Sequence, residues 1–336
     1  MRKPVRKPSR EPTREPSREP VDEAPVNRLV PEHYTIADIP QVVFRYAGVP
    51  DTLPVGSPGK VGVMELEFAR TDRRTELTGH YQKTPLQIMR PLYYDERRPE
   101  MAYVMLMSAG GGILQGDRYR MDFTCGAGTE VNLTTQAATK IYKMEQDYAT
   151  QIVNITAGPD SHVEYLPHAS IPFARSRFYQ RLRLVADPSA TVVLGESMLV
   201  GRLARGERND YDVFYSDMEV CRPDGELVFA DTVRLAPSED GVTGPAVLGD
   251  FGVMASLFVV TGRAPASAVA DTLHEALAPL IPLGLRAGVS VLPQDCGAWV
   301  RILGEESPEV EAALRGAWEA VRLLLIGVPV PTRRRP

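Results

Sequence analysis

Between Val61 and Val233 the chain repeats one device, a short run of alternating side chains closed by a turn cluster, and this narrows the fold more than any other feature. In Val61-Gly62-Val63-Met64-Glu65-Leu66-Glu67-Phe68 apolar residues alternate with Gly and Glu. Tyr119, Met121, Phe123 and Cys125 sit two apart, with Arg120, Asp122 and Thr124 between them. Similar runs occupy 102–107, 130–135, 151–156, 162–166, 178–185, 191–200, 211–220 and 226–233. A period of two sends one set of side chains to a buried face and the other to solvent or a second layer. The breaks are turn chemistry, as in Cys125-Gly126-Ala127-Gly128, Ala157-Gly158-Pro159-Asp160 and Pro223-Asp224-Gly225. No helix of ordinary length is readable between 41 and 248, so that stretch is expected to be a large all-β scaffold domain.

Residues 249–330 change character. Phe251 to Thr261 is a nearly continuous apolar strand. A helix is expected to open near Pro265 or Ser267, with Val269, Leu273, Leu277 and Leu280 on one stripe. Strands follow near Gly288–Leu292 and Ala298–Leu303. A last helix has Ser307 as its expected N-cap, Pro308 as its first residue and Glu309 and Glu311 near its positive end. Val310, Leu314, Ala317, Val321, Leu324 and Leu325 form its apolar stripe, and Gly327 followed by Pro329 ends it. The order β-α-β-β-α is that of a small ferredoxin-like α+β subdomain.

Outside these blocks lie an N-terminal segment, 1–40, and a basic tail, 331–336. Arg10-Glu11-Pro12, Arg14-Glu15-Pro16 and Arg18-Glu19-Pro20 recur every four residues. Proline removes backbone donors and nothing apolar is available to bury, so a disordered tail and linker are expected. Residues 1–28 carry eight Lys/Arg against five Asp/Glu, which leaves −8 for the other 308 residues of a chain whose net charge is −5. An acidic body argues against nucleic acid, whose phosphates draw Lys and Arg. Cys125, Cys221 and Cys296 are far apart and odd in number, which fits a reducing, cytoplasmic setting and no disulfide framework. No apolar run approaches the ~18 residues that a membrane span needs.

Several segments depart from plain alternation. Gly110-Gly111-Gly112, with Gly116-Asp117 after it, lacks the Gly-Lys-Ser/Thr of a phosphate loop and precedes a strand, so it fits neither a phosphate loop nor a dinucleotide fingerprint. Asp117 could cap that glycine turn or face a ligand. Thr134 to Tyr142, with Gln136, Thr139, Lys140 and Tyr142, is polar where a strand would continue apolar, as if lining a wet passage or a buried hydrogen-bond network. His162 and His168 are separated by Pro167 and form no His-x-His or His-x-x-x-His pair, so no tight metal site is expected. Glu196 interrupts the apolar run Val192 to Val200, and Asp231 interrupts Leu227 to Val233. A carboxylate in such a run is either exposed or buried and paired.

Taken in order, these segments resemble the UreD (UreH) family of urease accessory proteins. The likeness rests on Pro85 to Tyr93, Gly110 to Asp117, Leu133 to Tyr142, Glu164 to Phe173, Gly201-Arg202 to Gly206-Glu207, and the terminal helix with Trp318, Arg322 and Gly327. It spans about residues 60–330. Thr84 stands where that family usually has a glycine-linked approach to the proline. The resemblance implies stacked β-sheet layers wound in a β-helix-like manner, and a scaffold rather than an enzyme. It implies binding to apo-urease, recruitment of UreF and, through UreF, of the GTPase UreG, and passage of nickel(II) as transient cargo through an internal tunnel. By position, the family's tunnel residues fall on Asp117, Thr139, Glu196 and Asp231. Scattered carboxylates and hydroxyls suit a relay, which must release the ion it attracts. The competing expectation is a carboxylate-based hydrolase that uses two of Asp117, Glu196 and Asp231 across a sugar-sized cleft.

Overall fold

The structure, a computed structural model, describes residues 27–28, 30–48 and 59–331. The Arg-Glu-Pro repeats and the tail beyond Pro331 lie outside the described residues. The strands are β1 (Val61–Arg70), β2 (Thr75–Lys83), β3 (Leu86–Gln87), β4 (Ala102–Ser108), β5 (Arg118–Cys125), β6 (Glu130–Thr135), β7 (Thr139–Ile141), β8 (Ala149–Ala157) and β9 (His162–Tyr165). They continue as β10 (Ser170–Pro172), β11 (Arg177–Ala186), β12 (Thr191–Leu199), β13 (Val213–Cys221), β14 (Leu227–Leu235), β15 (Val253–Val260), β16 (Arg286–Val291) and β17 (Gly297–Gly304). The helices are α1 (Pro31–Tyr34), α2 (Gln41–Phe44), α3 (Ala266–Leu277) and α4 (Ser307–Ile326). None is long and apolar enough to cross a membrane among the described residues.

From β4 to β13 the chain steps back and forth between two sheets. In one, β1, β5, β8, β11 and β13 pair in parallel, with β2 and β14 antiparallel at its edges. In the other, β4, β6, β9 and β12 pair in parallel, and β15, β17 and β16 extend the sheet antiparallel. The result is a β-solenoid of about four turns, the wound arrangement that the resemblance implied. Alternation explains it: one side chain in two points between the sheets, and these make a single core that includes Leu66, Phe123, Val131, Val163, Leu184 and Leu194.

The β-α-β-β-α order is present, and its three strands continue the ten-stranded sheet rather than form a sheet of their own. Helices α3 and α4 pack on the outer face of that sheet through Val269, Leu273, Val310, Ala317 and Val321 against Leu257, Val259, Val300 and Ile302. Strand β15 is buried along its whole length because both faces are covered, which is why it reads as one apolar run. Two expectations need correction. Glu306, not Ser307, is the N-cap of α4; Ser307 is its first residue, and its hydroxyl donates to Glu311. Residues 31–48 are neither free linker nor strand. They form two helical turns strapped across the outer face of the seven-stranded sheet, where Ile36 and Val43 bury against Tyr148, Ile152, Tyr179 and Val213.

Candidate functional site

A polar row crosses the otherwise apolar interior. On the seven-stranded sheet, Tyr119, Gln151, Gln180 and Ser216 are neighbours in register on β5, β8, β11 and β13. Opposite them, Glu196, Ser256 and Arg301 are neighbours in register on β12, β15 and β17. The two rows meet at Glu196, which accepts from the Ser216 hydroxyl at 2.7 Å and from the Gln180 amide at 3.1 Å. Gln151 in turn donates to Gln180 at 3.1 Å. Parallel solenoid coils put equivalent positions side by side, so one polar position per strand yields a continuous track.

A cavity of about 320 Å³ opens onto this track, with Gln151, Gln180, Glu196, Tyr119 and Met218 among its lining residues. Its mouth is formed by Ser108, Gly111, Gln136, Ala137 and Lys140, all exposed. Glu196 keeps part of its surface open to the cavity and is otherwise enclosed. Burial pushes its pKa up, and Asp231 adds to that, while the Ser216 hydroxyl and the Arg301 guanidinium pull the other way.

The four tunnel candidates separate. Thr139, on β7, and Glu196 both line the cavity. Asp231 does not line it. It lies near enough to Glu196 to act on it electrostatically, and it holds Arg301 in an ion pair of 2.8 Å. Asp117 is fully buried as the cap of the glycine loop: its carboxylate accepts from the backbone N–H of Lys60 and Leu114, both at 2.9 Å, and from the Tyr119 hydroxyl at 2.8 Å. It reaches the cavity only through Tyr119, which lines it. The capping alternative therefore describes Asp117. A hydrolase would need two carboxylates on one cleft, and Glu196 is the one carboxylate among the cavity's lining residues.

The glycine loop shapes the mouth. Gly111 and Gly116 have φ of +69° and +73°, the left-handed region. Gly112 is pressed against Lys140 and Tyr142, and a Cβ on it would lie 2.6 Å from the Lys140 carbonyl oxygen. The two histidines part company: His168 lines the cavity, whereas His162 is buried behind the ten-stranded sheet, 3.0 Å from Glu164. Among the described residues His33, Glu65 and Asp122 come close enough to share an ion. His33 belongs to the N-terminal strap, and Arg28 and Arg120 already engage Glu65 and Asp122. Cys125 is buried, which pushes its thiol up to about 12 and makes it a poor ligand.

The UreD urease accessory protein family model matches residues 60–336. The chain belongs to the UreD family. It is 54% identical to urease accessory protein UreD 2 of Streptomyces griseus over 292 residues, covering 86% of this chain and 99% of that one. Identity to UreD 2 of Brucella suis is 36% over 291 residues, 85% and 95% of the two chains. With UreD of Haloarcula marismortui it is 37% over 302 residues, 89% and 99%. Family membership supports a role in urease maturation.

In this UreD chain the track's remaining members escaped sequence reading. Gln151, Gln180, Ser216 and Ser256 are neutral and polar, and in an alternating strand such a residue looks the same whether it faces inward or outward. Only their register as neighbours marks them, and that appears once the strands are aligned. Chemically, one enclosed carboxylate with hydroxyl and amide oxygens around it can hold a divalent cation loosely. It supplies no thiolate and a single imidazole, His168, too few for a tight transition-metal cage.

Proposed function

We propose that this chain is a non-catalytic scaffold that binds apo-urease, couples it to UreF and through UreF to UreG, and passes nickel(II) along the polar track toward the urease site. Glu196 carries the reading: a carboxylate kept between two apolar sheets, inside a cavity with an open mouth, at the point where the two polar rows touch. A purely structural carboxylate in such a place is ordinarily neutralised by a partner, because an unpaired buried charge is costly. Here its nearest donors are neutral, Ser216 and Gln180. The charge is left available to a visitor.

Thr139 and Gln136 extend the oxygen-rich lining to the mouth, and Asp117 serves indirectly by holding the loop of Gly110, Gly111, Gly112 and Gly116 in shape. A lone carboxylate among hydroxyl and amide oxygens, with no thiolate in the lining, suits transfer over storage. The test is co-expression with the urease subunits, UreF and UreG. E196Q should co-purify with these partners as the wild type does and yield urease of at most about a tenth of the activity. Loss of co-purification by the wild-type chain itself would refute the scaffold role.

A further inference from the structure

The far end of the track ends in a cation that the protein supplies itself. Arg301 on β17 reaches across the interior from the ten-stranded sheet to Asp231 on the seven-stranded one, at 2.8 Å, and its Nε donates to Ser256 at 3.2 Å. Ser256 stands in register between Glu196 and Arg301, so the guanidinium occupies the next step along the row from Glu196. Neither Asp231 nor Arg301 lines the cavity, yet their side chains are 20% and 29% exposed. This end of the row therefore opens toward a different side from the mouth. The guanidinium also lies 5.0 Å from the Trp299 ring, which is stacked on Phe258 at 5.4 Å. That aromatic face offers it a second resting place.

We propose that Arg301 is a tethered surrogate for the cargo, holding the place beside Asp231 that a divalent cation can enter only by displacing the guanidinium. This rests on the relay reading and adds the element that a relay needs, a reason to let go. With Arg301 on Asp231, the far end is neutral and the row offers an incoming ion one carboxylate, Glu196. Without Arg301, Glu196 and Asp231 together carry the two negative charges that balance a divalent ion. The row would then be a trap. Competition from a fixed cation keeps each step weak, and the released guanidinium re-forms its ion pair as the ion leaves.

Equilibrium dialysis of the full-length chain against nickel(II) alone, in a non-coordinating buffer, tests this. R301Q should bind nickel at least about tenfold more tightly than the wild type, a modest value for a close charge pair. The gain should vanish in R301Q/D231N, and R301K, which keeps the charge, should stay within about threefold of the wild type. R301M, which keeps an unbranched apolar side chain of similar length, makes the same comparison if R301Q fails to fold. Equal affinity of wild type and R301Q, or a gain that survives D231N, would overturn the proposal. Failure of the relay itself reads out separately: full urease loading by E196Q removes the route, while the dialysis result still reports whether Arg301 guards a site at Asp231.

Discussion

Glu196 is held where its charge is unfavourable, and that fixes the sign of its pH behaviour. Its folded-state pKa is raised above the ordinary carboxyl value, chiefly by burial. Stability is therefore highest below the ordinary carboxyl pKa and falls as pH rises through the raised one. Relative to wild type, E196Q should raise the melting temperature at pH 7 and lose that advantage toward pH 4, as paired thermal scans would record. A stabilising substitution that lowers nickel loading is the mark of a functional carboxylate. Asp117 has the opposite character. D117A would strand the Lys60 and Leu114 N–H groups and the Tyr119 hydroxyl, costing roughly 3 kcal/mol or more and shifting the urea midpoint downward. Sequence alone singled out both residues, since a carboxylate inside an apolar run or beside glycines is conspicuous. It could not tell them apart, because capping and ligand binding ask for the same side chain.

Helix α4 is tied to the scaffold by a buried ion cluster. Its Arg322 is wholly buried against the ten-stranded sheet, 3.3 Å from Asp95 and 3.4 Å from Glu164, with Tyr103 and Met101 beside it. Burial alone would push Glu164 up, but His162, Arg322 and Asn132 outweigh it and hold the carboxyl below its ordinary value. The contribution of Glu164 is accordingly complete above the ordinary carboxyl pKa and is lost as pH falls through the depressed one. R322A leaves two carboxylates without their cation and should cost about 3–5 kcal/mol, seen as a lower unfolding midpoint at pH 7 with a smaller difference in acid. The strands and both long helices were legible because alternation and the 3.6-residue stripe persist over many residues. Short features were not: Ser307 followed by Pro308 looks like a cap, and the backbone begins its helix one residue earlier than that pair suggests.

At the scale of the whole molecule, two sheets enclose a polar track while a strap and two helices cover the outer faces. The strap, 31–48, lies before the residues that the family model matches and was invisible in sequence, where its prolines resemble linker. I36A/V43A should cost roughly 2–5 kcal/mol without altering nickel transfer, which would separate covering from conduction. What sequence reading reached was the β scaffold and two carboxylates of the track; what it missed was the register that joins them, a property of paired strands and not of any one of them. The decisive measurement is the nickel content of urease purified after co-expression with the E196Q/D231N double variant, in complexes shown to be intact. Transfer along the track requires a fall to below about a fifth of the wild-type nickel per active site. A full complement of nickel in that urease would contradict it.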